Sequence, residues 1–178
     1  MLRLASSRTV RAVSGLLLAA WLSFPAPFGH ALTNKPPDLS AGGRPSLRIF
    51  TDRDGLPQNA ILAIAFDTVG YLWVGTKDGV ARYNGRAWTI IDLTPVAGSN
   101  FVQAICAGGD GSMWFGTNGG GLARLLEDQW STISIQQGLP SNDVTSLAEA
   151  PGPDGTRVLW IGTSAGVASL ESDGVVRP

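Results

Sequence analysis

One cysteine and one histidine stand in 178 residues, and charged side chains make up only 15% of them. A single cysteine excludes a disulfide within the chain. Cys106 lies in the apolar run "FVQAICA", where it reads as a small buried hydrophobe and not as a redox thiol. There is no run of basic residues, so no nucleic-acid partner is expected. Helical periodicity is hard to find along the chain. A hydrophobic share of 44% with 23 glycines describes instead a globular chain of short apolar runs separated by turns, which is an all-β pattern.

The first 31 residues differ from the rest. Arg3, Arg8 and Arg11 are followed by an apolar stretch from Val13 to Leu22, then by prolines and by Gly29 and Ala31. Basic, then apolar, then small-x-small is the pattern of a secretory signal peptide cleaved after Ala31. The alternative is an uncleaved anchor. Spanning a bilayer takes about 20 apolar residues, and Pro25 and Pro27 end this run early. Cleavage would remove three of the 13 basic residues, leaving ten against 14 acidic ones. It would also remove His30, and with it any histidine metal ligand or Ser-His-Asp triad. An exported, periplasmic chain is expected, with residues 32–45, rich in proline, glycine and serine, as an extended lead-in.

The remainder repeats itself. Trp73, Trp114 and Trp160 are each followed by one apolar residue and then by Gly-Thr: Gly75-Thr76, Gly116-Thr117 and Gly162-Thr163. Asn59 and Asn100 each precede their tryptophan by 14 residues; Asn142 precedes Trp160 by 18, and the four extra residues are assigned to the turn "APGPDGTR". Each unit reads as four short strands. In the first unit the strands are 61–66, 72–74, 80–83 and 87–91, with Asn84-Gly85 as a two-residue type I′ hairpin. Four antiparallel strands recurring every 40 to 46 residues or so form a β-propeller blade. The fold class expected is all-β: three blades of an incomplete propeller ring within residues 46–178, at about 55–93, 98–135 and 138–178. The three tryptophans then fill the wedges between blades, the glycines let the neighbouring sheet approach, and the threonine hydroxyls bond to the turn backbone.

"GLPQNAILAIAFDTVGYLWVGTKDGVARYNG", beginning at Gly55, resembles the two-component regulator propeller repeat. The resemblance runs from residue 55 to about 176, strongest in the first unit and weakest in the second, where "AGSN" replaces "GLPxN". It implies the periplasmic sensor region of a bacterial receptor that responds to glycans or other nutrients. The usual sequel is a β-sandwich domain, a membrane helix, and a histidine kinase or diguanylate cyclase output. No catalytic residue and no cofactor are expected here. "GGDG" at 108–111 falls at a hairpin turn and carries no functional weight.

Three units cannot close a ring, since propellers have about four to eight blades. The expectation is the front piece of a longer protein whose remaining blades complete the ring, or a truncated gene product; self-assembly is the lesser alternative. "SLRIFT", 46–51, matches the outer strand of a blade and could pair with the last one. Strand alternation places the inter-blade links and the turns between second and third strands on one face. The variable polar residues there are Asp52, Arg53, Asp54, Lys77, Asp78, Asn118 and Gln137, the candidate ligand contacts. Asn59, Asn100 and Asn142 recur and are assigned to stabilising the turn before each first strand. Two other functions stay open: a scaffold for protein–protein contacts, and the non-catalytic part of a propeller polysaccharide lyase.

Overall fold

The structure is a computed structural model that describes residues 47–152, 155–171 and 174–177. The leader (1–31) and the lead-in (32–45) lie outside the described residues. Three four-stranded antiparallel sheets follow one another along the chain. The first holds β1 (Ala63–Phe66), β2 (Leu72–Thr76), β3 (Gly79–Tyr83) and β4 (Trp88–Ile91). A one-turn helix, α1 (Thr94–Ala97), leads to β5 (Val102–Ala107), β6 (Met113–Thr117), β7 (Leu122–Leu126) and β8 (Gln129–Ile133). The third sheet holds β9 (Val144–Pro151), β10 (Arg157–Thr163), β11 (Gly166–Leu170) and β12 (Val176–Arg177). Strand order in space follows the sequence in every sheet, the plain meander of a propeller blade.

The register is the same from blade to blade. Trp73 pairs with Ala65 and Arg82, Trp114 with Cys106 and Arg124, and Trp160 with Ala148 and Ser169. Period-2 alternation then turns the tryptophan toward the next blade and its flanking apolar residues toward the previous one. Trp73 meets Phe115 of the second blade, with ring centroids 5.4 Å apart. Val80 and Trp73 share a buried cluster with Val102, Met113 and Phe115. Trp114 and Leu122 share the next cluster with Leu159, Ile161 and Leu170 of the third blade. The glycines act as expected at two of three positions. A Cβ on Gly75 would stand 2.8 Å from Val102 Cγ1, and one on Gly116 would stand 2.6 Å from Val144 Cγ1, both on the following blade. At Gly162 the nearest atom is Ser146 Oγ of the same blade. The threonines act alike in all three: each hydroxyl donates to a glycine carbonyl of the turn, Thr76 to Gly79, Thr117 to Gly121 and Thr163 to Gly166, at 2.8 to 2.9 Å.

Four expectations need correction. Trp160 holds the equivalent strand position but is 49% exposed, against 2% and 6% for Trp73 and Trp114, because among the described residues no blade stands on its outward face. The hairpin after β3 is not a two-residue type I′ turn: Tyr83 pairs with Trp88, so the loop is 84–87, and Asn84 Oδ1 accepts from the N–H groups of Arg86 and Ala87. The two-residue turn with both residues at positive φ occurs instead between β7 and β8, at Glu127 (49°) and Asp128 (60°). The four extra residues of the third unit lengthen both arms of its first hairpin, adding the pairs Val158–Ala150 and Arg157–Pro151, and leave the turn unchanged in length. Residues 47–50 are not a strand, although Phe50 packs on Trp88 and Tyr83 of the first blade, with centroids 5.5 and 5.0 Å away.

Candidate functional site

The inter-blade links are built on one device used three times. An asparagine side chain reaches back seven residues and accepts a backbone N–H: Asn59 from Asp52 at 2.7 Å, Asn100 from Leu93 at 2.6 Å, and Asn142 from Ile135 at 2.9 Å. In the first and third links a capping box adds to this. Asp54 accepts from the N–H and hydroxyl of Thr51, and Gln137 from those of Ser134, while Gly55 and Gly138 close each turn in the left-handed region. At α1, Asp92 accepts from Thr94 N–H at 2.8 Å; hydrogen bonding from the Thr94 side chain, and then from its backbone N–H, holds the Asp92 carboxyl below its usual range.

These contacts locate the candidate ligand residues. The links and the turns between second and third strands do share one face, joined by Ser99 Oγ to Asn118 O, Asn118 N to Phe101 O, and the Ser141–Ser164 hydroxyl pair. On it, Asp54 and Gln137 are engaged in capping, and Asn118 is tied through its backbone. The Lys77 ammonium lies over the Phe101 ring, 5.4 Å from its centroid. Asp78 meets Thr76 Oγ1 through its N–H. Asp52 and Arg53 are exposed on the first link. The face is a rim of turn-forming polar groups.

The larger concavity lies on the opposite face, between the second and third blades. It has a volume of about 390 Å³. Trp114, Leu159 and Leu170 line its apolar side; Asp110, Arg124, Glu149, Arg157 and Glu171 line its charged side. The Arg124 guanidinium stands 4.9 Å over the Trp114 ring and pairs with Asp110 at 2.5 Å. Burial raises the Asp110 carboxyl, but hydrogen bonds from Ser112 and the Arg124 charge outweigh it, so the net shift is downward. The lengthened β9–β10 hairpin supplies the other wall. Arg157 pairs with Glu149 at 2.5 Å, and Glu149 accepts the N–H of Gly109 at 2.9 Å. A Cβ at Gly109 would overlap the Arg157 guanidinium, so this glycine of the "GGDG" turn makes room for the neighbouring blade's arm.

A smaller cleft of about 200 Å³ occupies the same level between the first and second blades, with Asp67, Tyr71, Trp73 and Arg82 along it. There Asp67 Oδ1 accepts three backbone N–H groups and Oδ2 accepts the Trp73 indole N–H at 2.8 Å. Sequence reasoning missed this level of the molecule. Its one legible sign is the recurring Ala-Arg at 81–82 and 123–124, which sets a guanidinium over the tryptophan of the first blade and of the second; the third blade has Ser169 there. Cys106 is half-buried against the same cluster as Trp114, and burial raises its thiol, as befits a packing residue.

Residues 55–78 and 97–119 match the family model described as two component regulator propeller. The extracellular domain of a hybrid two-component system of B. thetaiotaomicron superposes with a TM-score of 0.58 at 22% identity, covering 70% of this chain and 17% of that one. PorZ, a bacterial surface component of the type-IX secretion system of Porphyromonas gingivalis, superposes with a TM-score of 0.52 at 20% identity, over 66% of this chain and 18% of that one. In sequence, histidine kinase P4 of Formosa agariphila is 41% identical over 46 residues, which are 26% of this chain and 3% of that protein. The chain thus matches under a fifth of the length of each of these relatives. The solved structures establish the propeller fold, and the family model matches the stretch from the inter-blade link through the second strand in each of the first two blades.

Proposed function

We propose that this chain, which carries two-component regulator propeller repeats, is an extracytoplasmic ligand-sensing segment of a bacterial two-component or cyclic-di-GMP receptor. The observation that carries the reading is the family match itself, laid on consecutive blades of one propeller arc. Export rests on the leader pattern of residues 1–31. Binding rests on the cleft between the second and third blades, a concave apolar floor with a few charged groups on its rim, which is the usual form of a small-molecule site. The ligand class that fits is a glycan or other small polar nutrient, packing on the Arg124 guanidinium that caps the Trp114 ring and hydrogen-bonding to Arg157 and the carboxylates.

Thermal-shift screening of the purified chain against neutral and acidic oligosaccharides and small nutrients tests this. A binder is expected whose shift is lost in Arg157→Ala and kept in Arg53→Ala and Lys77→Ala. Absence of any binder in the panel counts against sensing by this segment. A binder lost only in Arg53→Ala or Lys77→Ala would move the site to the link face.

A further inference from the structure

The two inter-blade clefts differ in how their charges are matched. Between the second and third blades, each charged residue along the cleft has an ionic partner: Asp110 with Arg124, Glu149 with Arg157, and Glu171 with Arg177. Between the first and second blades, Arg82 holds the register position of Arg124, opposite its blade's tryptophan, but the matching acid is missing. Asp110 stands four residues before Trp114; Val69 stands four before Trp73. The first blade's carboxylate is at Asp67 and is already engaged: one oxygen accepts three backbone N–H groups and the other the Trp73 indole N–H. The Arg82 guanidinium lies 5.2 Å from the Tyr71 ring centroid and 5.5 Å from that of Trp73. It makes no hydrogen bond or ion pair among the described residues. The second blade supplies the other wall of this cleft. Its β7–β8 turn places Glu127 and Asp128 there, both exposed, and neither carboxylate is paired among the described residues. The β7–β8 ladder runs up to Leu126 and Gln129, so the turn is held in place.

We propose that the cleft between the first and second blades is a second binding site, for a small molecule that carries both a carboxylate and an ammonium, as a free amino acid does. The carboxylate takes the Arg82 guanidinium, whose forked N–H groups match two carboxylate oxygens. The ammonium takes Glu127 and Asp128, and Met113 and Leu125 supply apolar lining. At about 200 Å³ the cleft is smaller than the roughly 300–1,000 Å³ of pockets for drug-sized ligands, which holds the ligand to amino-acid size. Walls of opposite sign also reject: a sulfate or a dicarboxylate meets Glu127 and Asp128, and a diamine meets Arg82.

An NMR titration of the isotope-labelled chain tests this, with glycine, β-alanine and γ-aminobutyrate as zwitterions of increasing span and acetate and methylammonium as single-charge controls. At least one zwitterion should shift the Trp73 indole and the amides of Arg82, Glu127 and Asp128. It should bind roughly tenfold or more tightly than either control, the difference expected for one charged hydrogen-bonding group. Arg82→Gln should weaken it by a similar factor. Glu127→Gln combined with Asp128→Asn alters exposed turn positions whose carboxylates hold nothing else among the described residues, and should bring the zwitterion down to the affinity of acetate. Arg86→Ala, an exposed arginine of the β3–β4 loop, should change nothing. No shift with any of the five compounds, zwitterions that bind no better than acetate, or affinity unchanged by the Glu127 and Asp128 substitutions would overturn the proposal. So would shifts confined to Arg124, Glu149 and Arg157, which would put the ligand in the other cleft and leave the sensing reading intact.

Discussion

Gly116→Ala adds one methyl group to the seam between the second and third blades, and its effect follows from what already stands there. The added Cβ would lie 2.6 Å from Val144 Cγ1, 3.1 Å from its Cβ and 3.2 Å from its carbonyl oxygen. Val144 is fully buried, and its carbonyl belongs to a strand that cannot rotate aside. Overfilling of this kind costs about 1–3 kcal/mol. With a urea slope of about 1–3 kcal/mol per molar for a small domain, the unfolding midpoint should fall by roughly 1 M. Gly75→Ala meets Val102 Cγ1 at 2.8 Å and its carbonyl at 3.2 Å, and should behave alike. Gly162→Ala meets first the hydroxyl of exposed Ser146, which can swing away, and should change stability by no more than about 0.5 kcal/mol. None of the three glycines has positive φ, so the unfolded-state benefit of alanine is common to all and drops out of the comparison. Equilibrium urea unfolding followed by circular dichroism gives the three values. Val144→Ala supplies the cycle: combined with Gly116→Ala it should recover about 0.5 kcal/mol or more relative to additivity. Equal effects at all three glycines, or strict additivity with Val144→Ala, would refute the idea that these glycines exist to admit the next blade.

Asn100→Ala should destabilise by about 1–3 kcal/mol, because it strips the acceptor from the N–H of fully buried Leu93; Asn100→Asp keeps an acceptor oxygen and should recover most of the loss in the same urea assay. The Asp110 carboxyl is depressed in the folded chain, so whatever it contributes is present above its ordinary value of 3.8 and is lost as pH falls through the lower folded value. The contribution is small, about 0–1 kcal/mol for a pair this exposed. The urea midpoints of wild type and Asp110→Asn should therefore differ slightly at pH 7 and converge below pH 4 or so; a gap that widens on acidification would assign the pair the wrong sign.

What could be read from the sequence was what a unit fixes by its own residues. Gly-Thr after each tryptophan specifies a bare seam position and a hydroxyl that closes its own turn. The asparagine 14 residues ahead of Trp73 and Trp114 specifies a link folded back on itself. The readings that failed depend on a neighbour or on a count. Asn84-Gly85 has the residues of a type I′ turn, but the Asn84 side chain captures two backbone N–H groups and holds a four-residue loop. Glu127 and Asp128, with no glycine between them, adopt the turn because β7 and β8 are paired up to Leu126 and Gln129, leaving only two residues to connect them. Asp54 and Gln137 vary between units and so looked like ligand contacts; they vary because either side chain supplies the one acceptor oxygen that the capping box needs.

The cleft shows the same limit from the other side. Its walls come from two blades, so no single unit contains it. Four extra residues before Trp160 carry no site signature, yet divided two and two between β9 and β10 they lengthen an antiparallel ladder by two pairs. At about 3.4 Å per residue that is nearly 7 Å of added reach. The reach brings Arg157 across to the Gly109 turn of the second blade, beside Glu149 on the last rung that the other blades also have; there a glycine leaves room for the guanidinium and offers its N–H to the carboxylate. Insertion, glycine and ion pair are separate facts in the sequence and one structure in space. The first two blades lack that extension, and the cleft between them is about half the volume. In a propeller built from near-identical tiles, the departure from the repeat is therefore what makes a site, and the third blade's longer hairpin is where this chain departs most.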